Sequence, residues 1–247
     1  MRNFDEEAQD NSGRQYNYAS DMLFRELMLE DFSSYMDLRS NSKSLEIGSY
    51  DGSMTEQILK YTPNLTVVEP SFELSKVIGN RFGSKISVVN STIEDFAYHE
   101  NFDNIFLVHT LEHVDSPVAV LQKIMQHLTP TGKLFIAVPN ANALSRQIAV
   151  HMGLISHNAA VLESESKQGH LRTYSIDTFR RDILASGLLI EHLTGVFLKA
   201  LANFQLDEAI EHNIIDRKYF DAANSLAKVY PDYSASLIAI CSLNIKG

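Results

Sequence analysis

Leu45-Glu-Ile-Gly-Ser-Tyr-Asp-Gly-Ser53 is the stretch that decides the fold. The apolar run Ser44–Ile47 reads as a buried strand, and Gly48 and Gly52 permit the tight backbone turn that leads into a helix beneath a ligand. A second apolar run, Leu65–Val68, ends at Glu69, twenty-one residues after Gly48. A carboxylate at that place can accept both hydroxyl protons of an adenosine ribose. Strand, glycine turn, helix, strand and acid together describe a nucleoside site in a Rossmann-like sheet.

Outward from this unit the rhythm continues. Ile86–Val89, Asn104–Val108 and Leu134–Val138 read as further buried strands, separated by helix-length segments. Ser116-Pro117 marks a helix start, and Thr129-Pro-Thr-Gly132 is expected to stop that helix. Ser175 caps a helix to Ala185, with Gly187 past its end. Leu188–Leu198 and Ser236–Leu243 read as two last strands that add an antiparallel edge, joined by a long helical stretch over 203–229. Upstream, Met22, Leu23, Leu27, Phe32, Tyr35 and Met36 recur at near-helical spacing, after twenty polar residues that read as a mobile lead-in. Residues 141–173 break the rhythm and read as an inserted cap. The expected fold is α/β: a Rossmann-like, doubly wound, seven-stranded, mostly parallel sheet with an antiparallel edge strand and a helical cap. Residues 1–247 are expected to form one domain, with 1–40 as the lead-in and first helix.

Composition narrows the function. The 247 residues are 45% hydrophobic and 21% charged, enough to bury a core without staples. Lys and Arg number 21 against 31 Asp and Glu, a net charge of −10, which argues against a nucleic-acid or anionic-membrane surface. Cys241 is the only cysteine, so no intrachain disulfide forms. No run approaches the roughly 20 apolar residues of a membrane span, and the acidic first ten residues lack a signal pattern, so the expected location is cytoplasmic.

The nucleoside can be narrowed on physical grounds. A dinucleotide turn wants G-x-G-x-x-G, whose second glycine admits the pyrophosphate. Tyr50 stands there, and Asp51 would repel a phosphate at the helix start. S-adenosylmethionine carries a sulfonium, an ammonium and no phosphate, and tolerates Glu46 and Asp51 nearby.

These segments resemble a class I S-adenosylmethionine-dependent methyltransferase of the small-molecule group, from about Ser44 to Pro139 and more weakly to Tyr174. Glu46-Ile-Gly48 with Ser49, Tyr50 and Gly52 is similar to the family's first motif, although its middle glycine is Tyr50 here. Val68-Glu69-Pro70 resembles the ribose-acid motif. Ser91-Thr-Ile-Glu-Asp95 resembles the loop beside adenine, which implies Thr92, Ile93 and Glu94 as cofactor contacts. Phe106-Leu-Val-His-Thr-Leu-Glu-His-Val114 resembles the strand end that faces the methyl group, which places His109 at the cofactor. Tyr16 is expected to fold over the cofactor, as N-terminal aromatics do in similar enzymes.

His109-Thr-Leu-Glu-His113 also fits H-x-x-E-H, a pattern of some zinc peptidases. On a helix the two imidazoles would share a metal. His109 directly follows an apolar strand, however, and a strand-to-loop transition there favours a cofactor role without metal. Methyl transfer from a sulfonium mainly needs alignment, and an alcohol acceptor is helped by proton removal. His113 and His170 are the candidate bases, and Arg172 and Tyr174 the candidate acceptor contacts. The expected activity is O-methylation of a small hydroxylated metabolite, a sugar derivative or natural-product intermediate. N-methylation of a small amine is the alternative. A non-catalytic S-adenosylmethionine-binding partner subunit and a zinc hydrolase are alternatives of other classes.

Overall fold

The computed structural model describes residues 3–11, 19–97 and 99–244. Tyr16 and Tyr18 lie outside them. The strands are β1 (Ser44–Ile47), β2 (Leu65–Glu69), β3 (Ile86–Asn90), β4 (Phe102–Val108), β5 (Leu128–Pro139), β6 (Leu189–Val196) and β7 (Ser236–Ser242). They form one sheet in the order β3-β2-β1-β4-β5-β7-β6. β1 is parallel to β2 and β4, and β7 is antiparallel to both β5 and β6. The order reverses between β1 and β4, where ligands bind in such sheets, outside the carboxyl ends of the strands.

The helices are α1 (Phe4–Asn11), α2 (Ala19–Ser33), α3 (Ser53–Ile58), α4 (Phe72–Phe82), α5 (Pro117–Met125), α6 (Leu144–His151), α7 (Glu163–Lys167), α8 (Ile176–Ser186), α9 (Asn203–Glu211) and α10 (Arg217–Val229). Among the described residues, none is long and apolar enough to cross a membrane. Period-two alternation along β5 sends Leu134, Ile136 and Val138 to one face and Phe135 and Ala137 to the other. Both faces are therefore buried: Phe179 and Ile183 of α8 cover the first, and Phe32 of α2 with Phe220 of α10 covers the second.

Three expectations need correction. The polar lead-in contains a helix, α1, whose Asp5 accepts hydrogen bonds from the Ser71 hydroxyl at 2.6 Å and the Glu73 amide at 3.2 Å, capping α4 from outside. Charge matching at a helix start outweighs the low hydrophobicity of the segment. The Thr129–Gly132 turn does not stop a helix. α5 has already ended at Met125, and these residues bulge within β5 between the Phe102–Leu128 and Asn104–Lys133 pairs. The helical stretch after β6 is broken, because Asn213 adopts φ 55 and Asp216 starts α10 by accepting from the Lys218 and Tyr219 amides.

Glu46 was also expected at the cofactor and is instead buried within β1. One carboxyl oxygen accepts from the Thr55 hydroxyl at 2.6 Å, and no donor among the described residues reaches the other. Burial, opposed by the Thr55 hydrogen bond and assisted by repulsion from Glu69 and Asp51, raises its pKa to about 8. The folded chain thus holds a proton that the unfolded chain releases above an ordinary value of 4.5. That contribution to stability is complete below the unfolded pKa and is lost as pH rises through the folded one. Between about pH 5 and 8 the melting temperature should fall more steeply for the parent than for Glu46→Gln, which keeps a neutral group of the same shape. Equal slopes in a thermal-melt series would contradict a neutral Glu46.

Candidate active site

The site begins at the β1–α3 turn. Gly48 and Gly52 have φ of 76° and 79°, and a Cβ on either would collide with the Thr110 hydroxyl (2.8 Å) or the Phe82 ring (2.7 Å). Glycine is required there for both conformation and space. Tyr50 adopts φ 49 without that freedom. What holds it is Glu69 at the end of β2. One oxygen of this buried carboxylate accepts from the Ser49 amide (2.9 Å), the Ser49 hydroxyl (3.1 Å) and the Tyr50 amide (3.1 Å). The other accepts from the Ser71 amide at 3.1 Å and keeps further acceptor capacity.

The start of α3 is closed to phosphate. Asp51 accepts from the Ser53 amide at 2.9 Å and the Ser53 hydroxyl at 2.8 Å, so a carboxylate already occupies the helix start a pyrophosphate would seek. The residues present fit a nucleoside without phosphate.

A cavity of about 700 Å³ runs over the strand ends from this turn. Gly48, Ser49, Tyr50, Glu69, Pro70, Thr92, Ile93, Glu94 and His109, the expected cofactor residues, all line this cavity. His113 and His170 line it at the cap side. Gly52 and Glu46 do not reach it: Gly52 packs under Phe82, and Glu46 is in the core. The two expected acceptor contacts also lie elsewhere. Tyr174 is buried against Phe179, and its hydroxyl donates to Asp182 at 3.3 Å. Arg172 donates to the carbonyls of Leu111 (3.3 Å), Val114 and Asp115 (3.1 Å), bracing the loop that carries His113. A guanidinium surrounded by loop carbonyls satisfies them better than an isolated anion would satisfy it.

That loop follows β4. His109, at φ 51, sits where the backbone turns out of the sheet, and its amide donates to Ala137. The segment is not a helix at His109, so the pair His109–His113 lacks the geometry of a zinc-peptidase helix. The loop instead carries Glu112 inward. Its side chain is 1% exposed, with His109 Nδ1 at 3.6 Å and His113 Nε2 at 4.0 Å from one carboxylate oxygen. Burial alone would raise the Glu112 pKa, but His109, His113 and His170 outweigh it and hold the carboxyl below its ordinary value. His170 reaches the same place from the cap, its ring edge-on to that of His113 with centroids 4.6 Å apart. Burial lowers the His170 pKa against the pull of Glu112. The Leu171 amide donates to the Glu112 carbonyl at 3.0 Å, which ties the cap to the β4 loop.

Apolar side chains also line the cavity: Phe24, Met28, Val196 and Phe197. Beside them lies a polar corner that sequence reasoning missed. Asn203 donates to Asp21 at 2.9 Å and accepts from the half-buried Lys199 ammonium at 2.7 Å. Burial raises the Asp21 pKa and lowers that of Lys199. These residues come from α2, the loop after β6 and α9, and no local pattern brings them together. Glu112 was also missed as a site residue, although the H-x-x-E-H spacing contained it.

Residues 4–193, more than half of the chain, match the methyltransferase domain family. The chain belongs to that family. Among related sequences, the ubiquinone biosynthesis O-methyltransferase of Xanthomonas oryzae pv. oryzae (strain PXO99A) is 27% identical over 127 residues, 49% of this chain and 53% of the relative. The chain thus spans about half the length of that relative. The enzyme of the same description from Salmonella paratyphi A is 22% identical over 182 residues, covering 69% and 72%. Two solved structures share the fold. The N-methyltransferase NodS of Bradyrhizobium japonicum WM9, in complex with S-adenosyl-L-homocysteine, has a TM-score of 0.59 at 17% identity and covers 97% and 95% of the two chains. The Haloferax volcanii methyltransferase in complex with its Trm112 activator has a TM-score of 0.64 at 14% identity, covering 98% of each.

The Arg172 brace predicts a stability effect. Arg172→Ala should remove about 2 kcal/mol by leaving loop carbonyls without a donor, lowering the melting temperature by roughly 4–8 °C for a chain of this size. An unchanged melting temperature with a selectively raised KM for the acceptor would instead return Arg172 to substrate binding.

Proposed function

We propose that this methyltransferase transfers a methyl group from S-adenosylmethionine to a hydroxyl oxygen of a small, partly apolar acceptor. The observation that carries this reading is the polarity of one continuous cavity. The glycine turn and Glu69, whose second carboxylate oxygen keeps acceptor capacity for a ribose, line this cavity together with the Glu112–His113–His170 cluster and the apolar side chains Phe24, Met28 and Phe197. The ubiquinone-pathway relatives, O-methyltransferases by description, support the same acceptor chemistry.

The cofactor supplies an electrophilic methyl group on a sulfonium. The chain supplies placement. Glu69 accepts the ribose hydroxyls through the oxygen that Ser71 leaves partly open, while Pro70, Thr92, Ile93 and Glu94 border the adenine and His109 borders the reacting end. Phe24, Met28 and Phe197 receive the acceptor's apolar body. His113 and His170 face its hydroxyl and serve its deprotonation, and the buried Glu112 carboxylate offsets the positive charge that this leaves on the imidazoles. An amine needs less help from such a cluster, which is why oxygen is preferred over nitrogen.

The test is a panel of phenols, catechols, hydroxylated sugars and amines with methyl-labelled S-adenosylmethionine, the methylated atom being read by mass spectrometry. Label on oxygen, with kcat/KM lowered about 10²-fold or more in His113→Ala or His170→Ala while S-adenosylhomocysteine affinity holds, is the expected result. Label on nitrogen alone contradicts the oxygen assignment. Tight S-adenosylhomocysteine binding without turnover on the panel would favour a partner subunit.

A further inference from the structure

The cap-side end of the cavity contains more than a pair of bases. Glu112 is almost wholly buried, yet no donor among the described residues hydrogen-bonds either of its carboxylate oxygens. A buried carboxylate in that condition is costly, and native structures resolve it with a proton, a cation or a metal. One oxygen of Glu112 and one ring nitrogen each of His113 and His170 lie within 4.8 Å of one another. The His113 and His170 rings meet edge-on, their centroids 4.6 Å apart. All three side chains border the cavity, so that position opens toward the acceptor.

We propose that Glu112, His113 and His170 form a binding site for a divalent transition-metal ion, with its remaining coordination positions facing the acceptor. Two imidazoles and a carboxylate suit zinc, iron(II) or manganese(II) rather than calcium, whose sites are built from oxygen alone. Donors around such an ion stand roughly 3–3.5 Å apart, given bonds of about 2.0–2.2 Å. The cluster therefore needs to contract by about an ångström, a shift within reach of side chains carried on the β4 loop and the cap. Arg172 and the Leu171–Glu112 backbone hydrogen bond hold the two segments together and keep the ligands in register. This site differs from the one the H-x-x-E-H spacing suggested: the carboxylate is a ligand, and the second imidazole comes from the cap. The ion's role rests on the O-methylation reading: when bound it would stand in for the two imidazoles, whose ligating nitrogens could no longer accept a proton, by orienting the acceptor oxygen and making it more acidic. The binding site stands on geometry alone.

The experiment uses the full chain, dialysed against EDTA and then against buffer, and titrated with manganese(II) by electron paramagnetic resonance and with zinc by calorimetry. The expected result is one ion per chain, with affinity reduced at least tenfold in Glu112→Gln and in His170→Gln, both checked for an unchanged circular dichroism spectrum. Failure of the parent to bind either ion at 1:1 stoichiometry overturns the site, as does undiminished affinity in both variants. The activity readout separates the two proposals. Full O-methyl transfer by the metal-free chain overturns the ion's role in transfer and leaves the oxygen assignment standing. Stoichiometric binding that Glu112→Gln abolishes, in a chain that methylates only amines, supports the site and overturns that assignment.

Discussion

One buried carboxylate organises the turn between β1 and α3 and the start of α4. Glu69 ends β2 and reaches across to β1, where it accepts from two successive amides and a hydroxyl of the Ser49–Tyr50 turn. The turn cannot hold its shape by propensity, since Tyr50 adopts a left-handed conformation without being glycine. Three donors to one carboxylate oxygen make the strain tolerable and fix the height of the loop above the sheet. The same side chain, through its second oxygen, reaches the Ser71 amide before α4. A shift of Glu69 would therefore move the β1–α3 turn, the start of α4 and the floor of the cavity together.

At the other end the constraint comes from the β4 loop. The left-handed His109 turns the chain away from the sheet, and the next residues carry Glu112 inward beside His113. Arg172 binds three carbonyls of that loop from the cap, and Leu171 adds a backbone hydrogen bond. The cap and the loop thus form one unit, and His170 is delivered to the cluster by the chain that braces it. The sheet fixes both ends: the order reversal between β1 and β4 opens the crevice that the cavity occupies.

The sheet was legible because its signals are local. Ser44–Ile47, Leu65–Val68 and Ile86–Val89 are short apolar runs bounded by turns, and the strands match them to within a residue. The glycine turn and the place of Glu69 at the end of β2 were legible for the same reason, as spacing along one βαβ unit. Contacts made between distant segments were not. Nothing in the sequence around Arg172 says that its partners are carbonyls of residues 111–115, and nothing around Lys199 and Asn203 points to Asp21. The α1 helix was missed because its stability comes from Asp5 capping a helix more than sixty residues away, not from an apolar stripe of its own. Glu46 was misplaced because the motif names a position on a strand without saying which face its side chain takes.

The central claim is that Glu69 serves two purposes at once, holding the glycine loop and receiving the ribose. A crystal structure of the chain with S-adenosylhomocysteine tests it directly. The account predicts both ribose hydroxyls within hydrogen-bonding distance of the Glu69 carboxylate, the Ser49–Tyr50 contacts unchanged, and the sulfur directed toward His109 and the Glu112–His113–His170 cluster. A nucleoside bound with its ribose away from Glu69, or a loop that abandons Glu69 to admit it, would contradict the account.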